Sequence, residues 1–259
     1  MYKYIFLIIL FGIYQPMEAF EEGYADNNGI KIYYRDYGPA HAEPIILVQG
    51  LGGQLTQWPD NLIDLLKDNN FRPIVYDNRD IGLSTKFIGS PNYTTDYLKY
   101  ILRLPLKSEY TIDDMGLDGI SVLDKLNIES AHLLGMSMGG MIAQIMAANH
   151  SERIKSFTLI ASTAATPSPF NSPTREVRKL ILDRSVTKDA SYEDRYLRAV
   201  ELIKVIGMKG YVFDTPEFKQ QAIENMKRSK DDTGFSRQLL AILASKNRFK
   251  KIQSIRIPT

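Results

Sequence analysis

Two apolar patterns alternate between Gly23 and Ile160. Short unbroken runs, Pro44-Ile45-Ile46-Leu47-Val48-Gln49 and Pro73-Ile74-Val75-Tyr76-Asp77, read as strands covered on both faces. Leu62-Ile63-Asp64-Leu65-Leu66 between them supplies a helix, and a longer amphipathic helix runs from Ile112 to Leu126. Ser130-Ala131-His132-Leu133-Leu134 and Ile154–Ile160 are further strand signals, separated by the helix signal Gly140–Ala148. Ahead of them Asn28-Gly29 is a two-residue hairpin turn between Gly23–Asp26 and Ile30-Lys31-Ile32-Tyr33-Tyr34. Strands alternating with helices predict an α/β fold, a parallel doubly wound sheet opened by an antiparallel hairpin.

The pattern changes at Thr163. Thr166-Pro167-Ser168-Pro169 and Ser172-Pro173 form a Pro/Ser-rich link, after which helical signals run to about Lys250. Ser172-Pro173 and Thr215-Pro216-Glu217 read as N-caps followed by N1 prolines. Tyr196, Leu197, Val200 and Ile203, like Phe218, Ile223 and Met226, recur at helical spacing. The expected organisation is a core over 20–165, a helical cap over 166–250 above the carboxyl edge of the sheet, and the start of a further core strand at 251–259. The apolar stripes of the cap are read as packing surfaces.

Composition narrows the function. Lys and Arg number 32 against 30 Asp and Glu, so neither a basic stripe nor an acidic tail points to nucleic acid. The chain has no cysteine, which excludes disulfides and thiolate catalysis, and its three widely spaced histidines argue against a metal site. No cofactor is expected. The apolar run Tyr4–Tyr14, after Met1-Tyr2-Lys3 and before Gln15-Pro16-Met17-Glu18-Ala19, resembles a short signal peptide over 1–19. It falls well short of the roughly 20 residues that span a bilayer, so a stable membrane span is not expected. The expected location is secreted or periplasmic, with cytoplasmic location or anchoring by an uncleaved leader as the alternatives. Oligomeric state has no signal.

Gly135-Met136-Ser137-Met138-Gly139 is a G-x-S-x-G between strand and helix signals, the context of a nucleophile elbow. A strand that turns sharply into a helix crowds its own backbone, and Gly135 and Gly139 remove the Cβ atoms that would clash. Met138 opens the helix, so its N–H is free of an intrahelical carbonyl and can bind an oxyanion forming beside Ser137.

With Val48-Gln49-Gly50-Leu51-Gly52-Gly53 in the place of a His-Gly-x loop, and Asp77-Asn78-Arg79-Asp80-Ile81-Gly82-Leu83-Ser84 resembling D-x-R-G-x-G-x-S, the chain resembles the α/β-hydrolase superfamily from Gly23 to Thr259. Asn78–Ser84 together with Gly135–Gln144 is similar to the esterase-like branch that includes aclacinomycin methylesterase. The resemblance implies Ser137 as nucleophile and the backbone N–H groups of Leu51 and Met138 as oxyanion donors. Gly50, Gly52 and Gly53 would let the loop bend close to a substrate carbonyl. Gln49 departs from the family's histidine and is read as a loop-stabilising residue. Asp77 and Arg79 are read as a structural ion pair supporting that loop. A serine at the elbow disfavours the epoxide hydrolase and dehalogenase branches, which carry aspartate there.

A serine nucleophile needs an imidazole within hydrogen-bond reach. His150, at the far end of a helix of a dozen residues, lies roughly 18 Å from the elbow. His132 lies about 16 Å back along the elbow strand, and His41 enters the sheet from the opposite edge. Neither a catalytic histidine nor a catalytic acid is found; Ser254–Thr259 resembles the approach to the strand that precedes the family's acid. The expectation is a serine hydrolase of small-molecule carboxylic esters, incomplete and inactive in these 259 residues. The alternatives are a non-catalytic binding pseudoenzyme and an acyltransferase.

Overall fold

The computed structural model describes residues 20–89, 91–166, 168, 174–182, 190–207, 215–229 and 233–259. The expected signal peptide over 1–19 and the expected helix start at Ser172-Pro173 lie outside them. β1 (Glu21–Asn27) and β2 (Ile30–Asp36) form the expected hairpin. Asn28 and Gly29 both have positive φ, 53° and 87°, as the twist-matched two-residue turn requires.

β3 (Glu43–Val48), β4 (Phe71–Tyr76), β5 (Ala131–Met136) and β6 (Ile154–Ile160) are parallel to one another, and β2 joins β4 antiparallel. The sheet order is β1-β2-β4-β3-β5-β6. Side chains alternate across it with period two. Ile45, Leu47 and Val75 face one side with Trp58 and with Ile63 of α1 (Asp60–Asp68). Ile46, Val48, Ile74 and Tyr76 face the other, against Met115 and Leu123 and against Ile142 and Met146. Those helices are α3 (Ile112–Lys125) and α4 (Met138–Asn149); α2 (Tyr93–Ile101), which precedes α3, was not among the elements expected from the sequence. α3 starts at a reciprocal cap, Thr111 accepting from the Asp114 N–H while Asp114 accepts from the Thr111 N–H.

α5 (Arg175–Leu182), α6 (Tyr192–Ile206), α7 (Pro216–Arg228) and α8 (Thr233–Ala244) fall in the span expected for the cap. Thr215 caps α7 by accepting from Phe218 N–H, with Pro216 at the first turn, and the Tyr196 and Phe218 rings meet at 6.1 Å. α8 packs on the core loops through buried Ser236, Arg237, Gln238 and Ala241. α9 (Phe249–Ile252) follows, and beyond it the Pro258 carbonyl accepts from Phe157 N–H at 3.0 Å, a single rung beside β6. Among the described residues no helix is long and apolar enough to cross a membrane.

Candidate active site

Because β3 and β5 are neighbours in a parallel ladder, the loop leaving β3 and the turn leaving β5 emerge side by side at the carboxyl edge, where open α/β sheets place their ligands. Ser137 is that turn. Its φ of 54° and ψ of −117° are sparsely allowed for a residue with a Cβ, a strain characteristic of functional turns. The turn is held on three sides. Ser137 N–H donates to the Ile160 carbonyl at 2.8 Å, and the Ser137 carbonyl accepts from Gly140 N–H at 3.0 Å and from Ser162 Oγ at 2.8 Å.

The elbow glycines have separate steric reasons. A Cβ on Gly135 would meet the Gly139 carbonyl oxygen at 2.5 Å and Gly140 Cα at 2.8 Å. One on Gly139 would run into the Val48 carbonyl at the end of β3. Both are backbone obstacles, so a larger residue at either position pushes α4 off the sheet.

The loop after β3 closes as a turn, Gly53 N–H to Gly50 carbonyl at 3.1 Å, with Leu51 and Gly52 central and Gly52 at φ 73°. Gly50 lies directly on the elbow: a Cβ there would sit 3.2 Å from Ser137 Cβ and 3.8 Å from Oγ. Leu51 follows Gly50 in that turn, and Met138 follows Ser137 as the first residue of α4. Gln49 is 2% exposed and folds back onto its own loop, Oε1 accepting from Gly50 N–H at 3.2 Å while its carbonyl accepts from Asn78 Nδ2 at 2.9 Å.

Asp77 and Arg79 do not pair with each other, which corrects the expectation. Their side chains leave the strand end in different directions because each has another buried partner. Asp77 accepts from the N–H groups of Leu55 and Leu83, both at 2.9 Å, and is bridged by Arg228 of α7 at 2.7 Å. Arg79 grips Asp118 of α3 through two bonds of 2.6 and 2.7 Å, and that carboxylate holds the guanidinium charged against the opposing effect of burial. Asp77 nevertheless braces the loop after β3 through Leu55.

Three supporting residues, Arg237, Gln238 and Gln54, had no signal in the sequence. Asp80 is grasped at both oxygens by Arg237 of α8, at 2.8 and 2.9 Å. Gln238, fully buried, accepts from Gly52 N–H and donates to the Arg79 carbonyl, both at 2.9 Å, pinning the Gly50–Gly53 loop to α8. Gln54 joins the same web, accepting from Arg228 at 2.8 Å and donating to the Asn225 carbonyl.

The histidines lie at the opposite edge of the sheet. His132 is the second residue of β5, its Nδ1 2.7 Å from Ser156 Oγ and its Nε2 3.4 Å from Glu43. His150 ends α4, 4.0 Å from Glu152, and His41 is exposed in the turn before β3. Ser137, at the carboxyl edge, is reached by none of them. Among the described residues no group of three or more His, Asp or Glu side chains is placed to hold a metal ion.

The fold and the elbow define an α/β protein of hydrolase architecture, with a strained serine beside a glycine loop. A sequence model of the alpha/beta hydrolase fold matches residues 43–205, and the chain belongs to that family. Similar proteins include rhodomycin D methylesterase DauP of Streptomyces sp. (strain C5), 26% identical over 200 residues covering 71% of this chain and 61% of DauP. Rhodomycin D methylesterase DnrP of Streptomyces peucetius is 24% identical over 76% of this chain and 66% of its own. The chain thus spans less than two thirds of either methylesterase. They agree with the esterase-like branch read from Asn78–Ser84 and the elbow segment. Among solved structures, a thermophilic esterase from Thermogutta terrifontis superimposes with a TM-score of 0.64 at 21% identity, covering 92% of this chain and 78% of that one. The enol-lactonase from Burkholderia xenovorans LB400 gives 0.61 at 23% identity, over 91% and 78%. At those identities the likeness is one of fold.

Proposed function

We propose that this chain carries the nucleophile and the oxyanion cradle of a carboxylic ester hydrolase, with Ser137 forming an acyl-enzyme on a small-molecule ester. The observation that carries the reading is the strained Ser137 turn with the Gly50 backbone against it. Ser137 Oγ attacks the ester carbonyl carbon and gives up its proton to a base from solution, which passes a proton on to the departing alcohol. The carbonyl oxygen becomes an oxyanion held by the N–H groups of Leu51 and Met138. The alcohol leaves with a proton, and water then releases the acid from Ser137. Hydrolase activity is in keeping with the methylesterases among the similar proteins.

Proton removal is the weak step. With all three histidines at the other edge of the sheet, the 259-residue chain supplies Ser137 with no imidazole. Donors and binding without a complete triad leave an acceleration of only ~10³–10⁴ over water, so negligible ester turnover is expected of the chain by itself. The same placement favours, as a second reading, binding of an ester or acid without turnover.

The test is hydrolysis of a short-chain chromogenic ester by the chain and by Ser137→Ala, in the absence and presence of free imidazole as a diffusible base. The expected result is no difference without imidazole and a Ser137-dependent increment that grows with it. Robust turnover without imidazole, lost in Ser137→Ala, would show that a base is present in the chain. No Ser137-dependent increment at any imidazole concentration would overturn the nucleophile assignment.

A further inference from the structure

From Tyr97 to Lys107 the chain reads Tyr-Leu-Lys-Tyr-Ile-Leu-Arg-Leu-Pro-Leu-Lys, apolar except for Lys99, Arg103 and Lys107, with no carboxylate between Asp96 and Glu109. Such a run in a water-facing protein is ordinarily buried. Here Tyr97, Leu98, Ile101, Leu102 and Leu104 are 46%, 56%, 42%, 57% and 51% exposed. Tyr97, Leu98 and Ile101 of α2 share one face with Leu102 at its C-cap.

The stripe continues past the helix end. Arg103 sits at φ 56°, in the left-handed region that glycine usually fills at such a cap, and Leu104 N–H returns to the Lys99 carbonyl at 2.8 Å. This turn carries the exposed apolar surface on to Leu104. Beside it a cavity of about 650 Å³ is lined by Tyr100, Arg103, Leu104 and Leu106, with Leu243 and Lys246 opposite. Single exposed leucines need no explanation; a contiguous patch of large apolar side chains bordered by cations does.

Charge selects the occupant. A second copy of the chain docking on the same face would set these cations against their own kind, which opposes association. An anionic bilayer complements them, while its headgroup and acyl boundary accepts leucine and tyrosine. We propose that α2 and its C-terminal turn dock on anionic phospholipid membranes. Leu98, Leu102 and Leu104 enter the boundary, and Lys99, Arg103 and Lys107 meet the headgroups. The chain then lies on the bilayer, and the adjoining cavity opens toward lipid. This proposal does not depend on the role of Ser137.

The test is co-sedimentation of the full chain with phosphatidylglycerol vesicles and with phosphatidylcholine vesicles. Two patch variants are compared with wild type: Leu98→Ser/Leu102→Ser/Leu104→Ser and Lys99→Glu/Lys107→Glu. Leu65→Ser, at an exposed position of α1, is the control. Circular dichroism checks folding, and the charge variant keeps the test decisive if the leucine variant misfolds. Binding to phosphatidylglycerol is expected to exceed that to phosphatidylcholine, to weaken with salt, and to fall about tenfold or more in the patch variants but not in the control. Equal binding by wild type and both patch variants overturns the proposal, because another part of the chain, such as Tyr4–Tyr14, is then responsible. So does a concentration-dependent dimer, lost in the leucine variant, without vesicle binding: the occupant is then a second copy.

Discussion

The elbow and the segment just after β4 lie at the same edge of the sheet, on strands separated only by β3, yet they are built by opposite means. At the elbow the backbone makes the site: Gly135 and Gly139 let α4 close on β3 and β5, and Ser137 takes its strained φ from chain neighbours. After β4 it is made by long side chains from elsewhere in the sequence. Asp77, Arg79 and Asp80 are gripped by Arg228, Asp118 and Arg237, from α7, α3 and α8. A backbone-built site is local and unforgiving of volume. The side-chain web is non-local and unforgiving of lost charge, since burial leaves an abandoned partner without water.

The largest expected effect comes from breaking the web. Arg237→Leu leaves the buried Asp80 carboxylate without its counter-ion, with the Phe87 N–H still donating to it, and should lower unfolding stability by about 3–5 kcal/mol in urea titration. A loss below 1 kcal/mol would show the pair to be hydrated and the contrast overstated. Gly139→Ala comes next, because its methyl group meets the Val48 carbonyl, which cannot swing away. About 1–3 kcal/mol is expected in the same assay, with no dependence on salt.

Ser137→Gly has the opposite sign. It relieves a backbone conformation unfavourable to any Cβ and should stabilise the chain by about 1 kcal/mol, read as a raised Tm. A destabilised variant would mean that the turn is imposed without strain. The smallest effect belongs to Tyr76, whose buried hydroxyl has no hydrogen-bond partner among the described residues and whose pKa burial pushes far up. Its folded pKa lies above the unfolded value, so its stability contribution is full below about pH 10 and is lost as pH rises further. Tyr76→Phe should be near neutral at pH 7 and blunt the loss of stability above about pH 10, measured by urea titration across pH.

Legibility follows the same divide. The hairpin, the strands flanking the elbow, α1, α3 and α4 were readable because each is written in neighbouring residues as a turn pair, an apolar run or a helical period. α2 was missed because its apolar positions run on through Leu102, Leu104 and Leu106 with no break to mark a helix end, and because they face outward rather than into the core. The pairing expected between Asp77 and Arg79 failed because proximity in sequence places two side chains of an extended segment, separated by one residue, without deciding what each can reach. Gln238 had no signal: Arg79 and Gln238 meet across 159 positions.

By itself the sequence determined the class of fold, the Ser137 elbow and the glycine loop beside it, because glycine sterics and hydrophobic periods act over a few residues. Tertiary structure alone decided that β3 and β5 are neighbours, which brings Gly50 onto Ser137. The distance of the three histidines from the elbow was already legible from their places on strand, helix and loop, whereas which arginine holds which carboxylate was again decided by the tertiary structure. Those outcomes depend on how packed layers bring distant segments into contact, and on the requirement that every charge they bury find a partner.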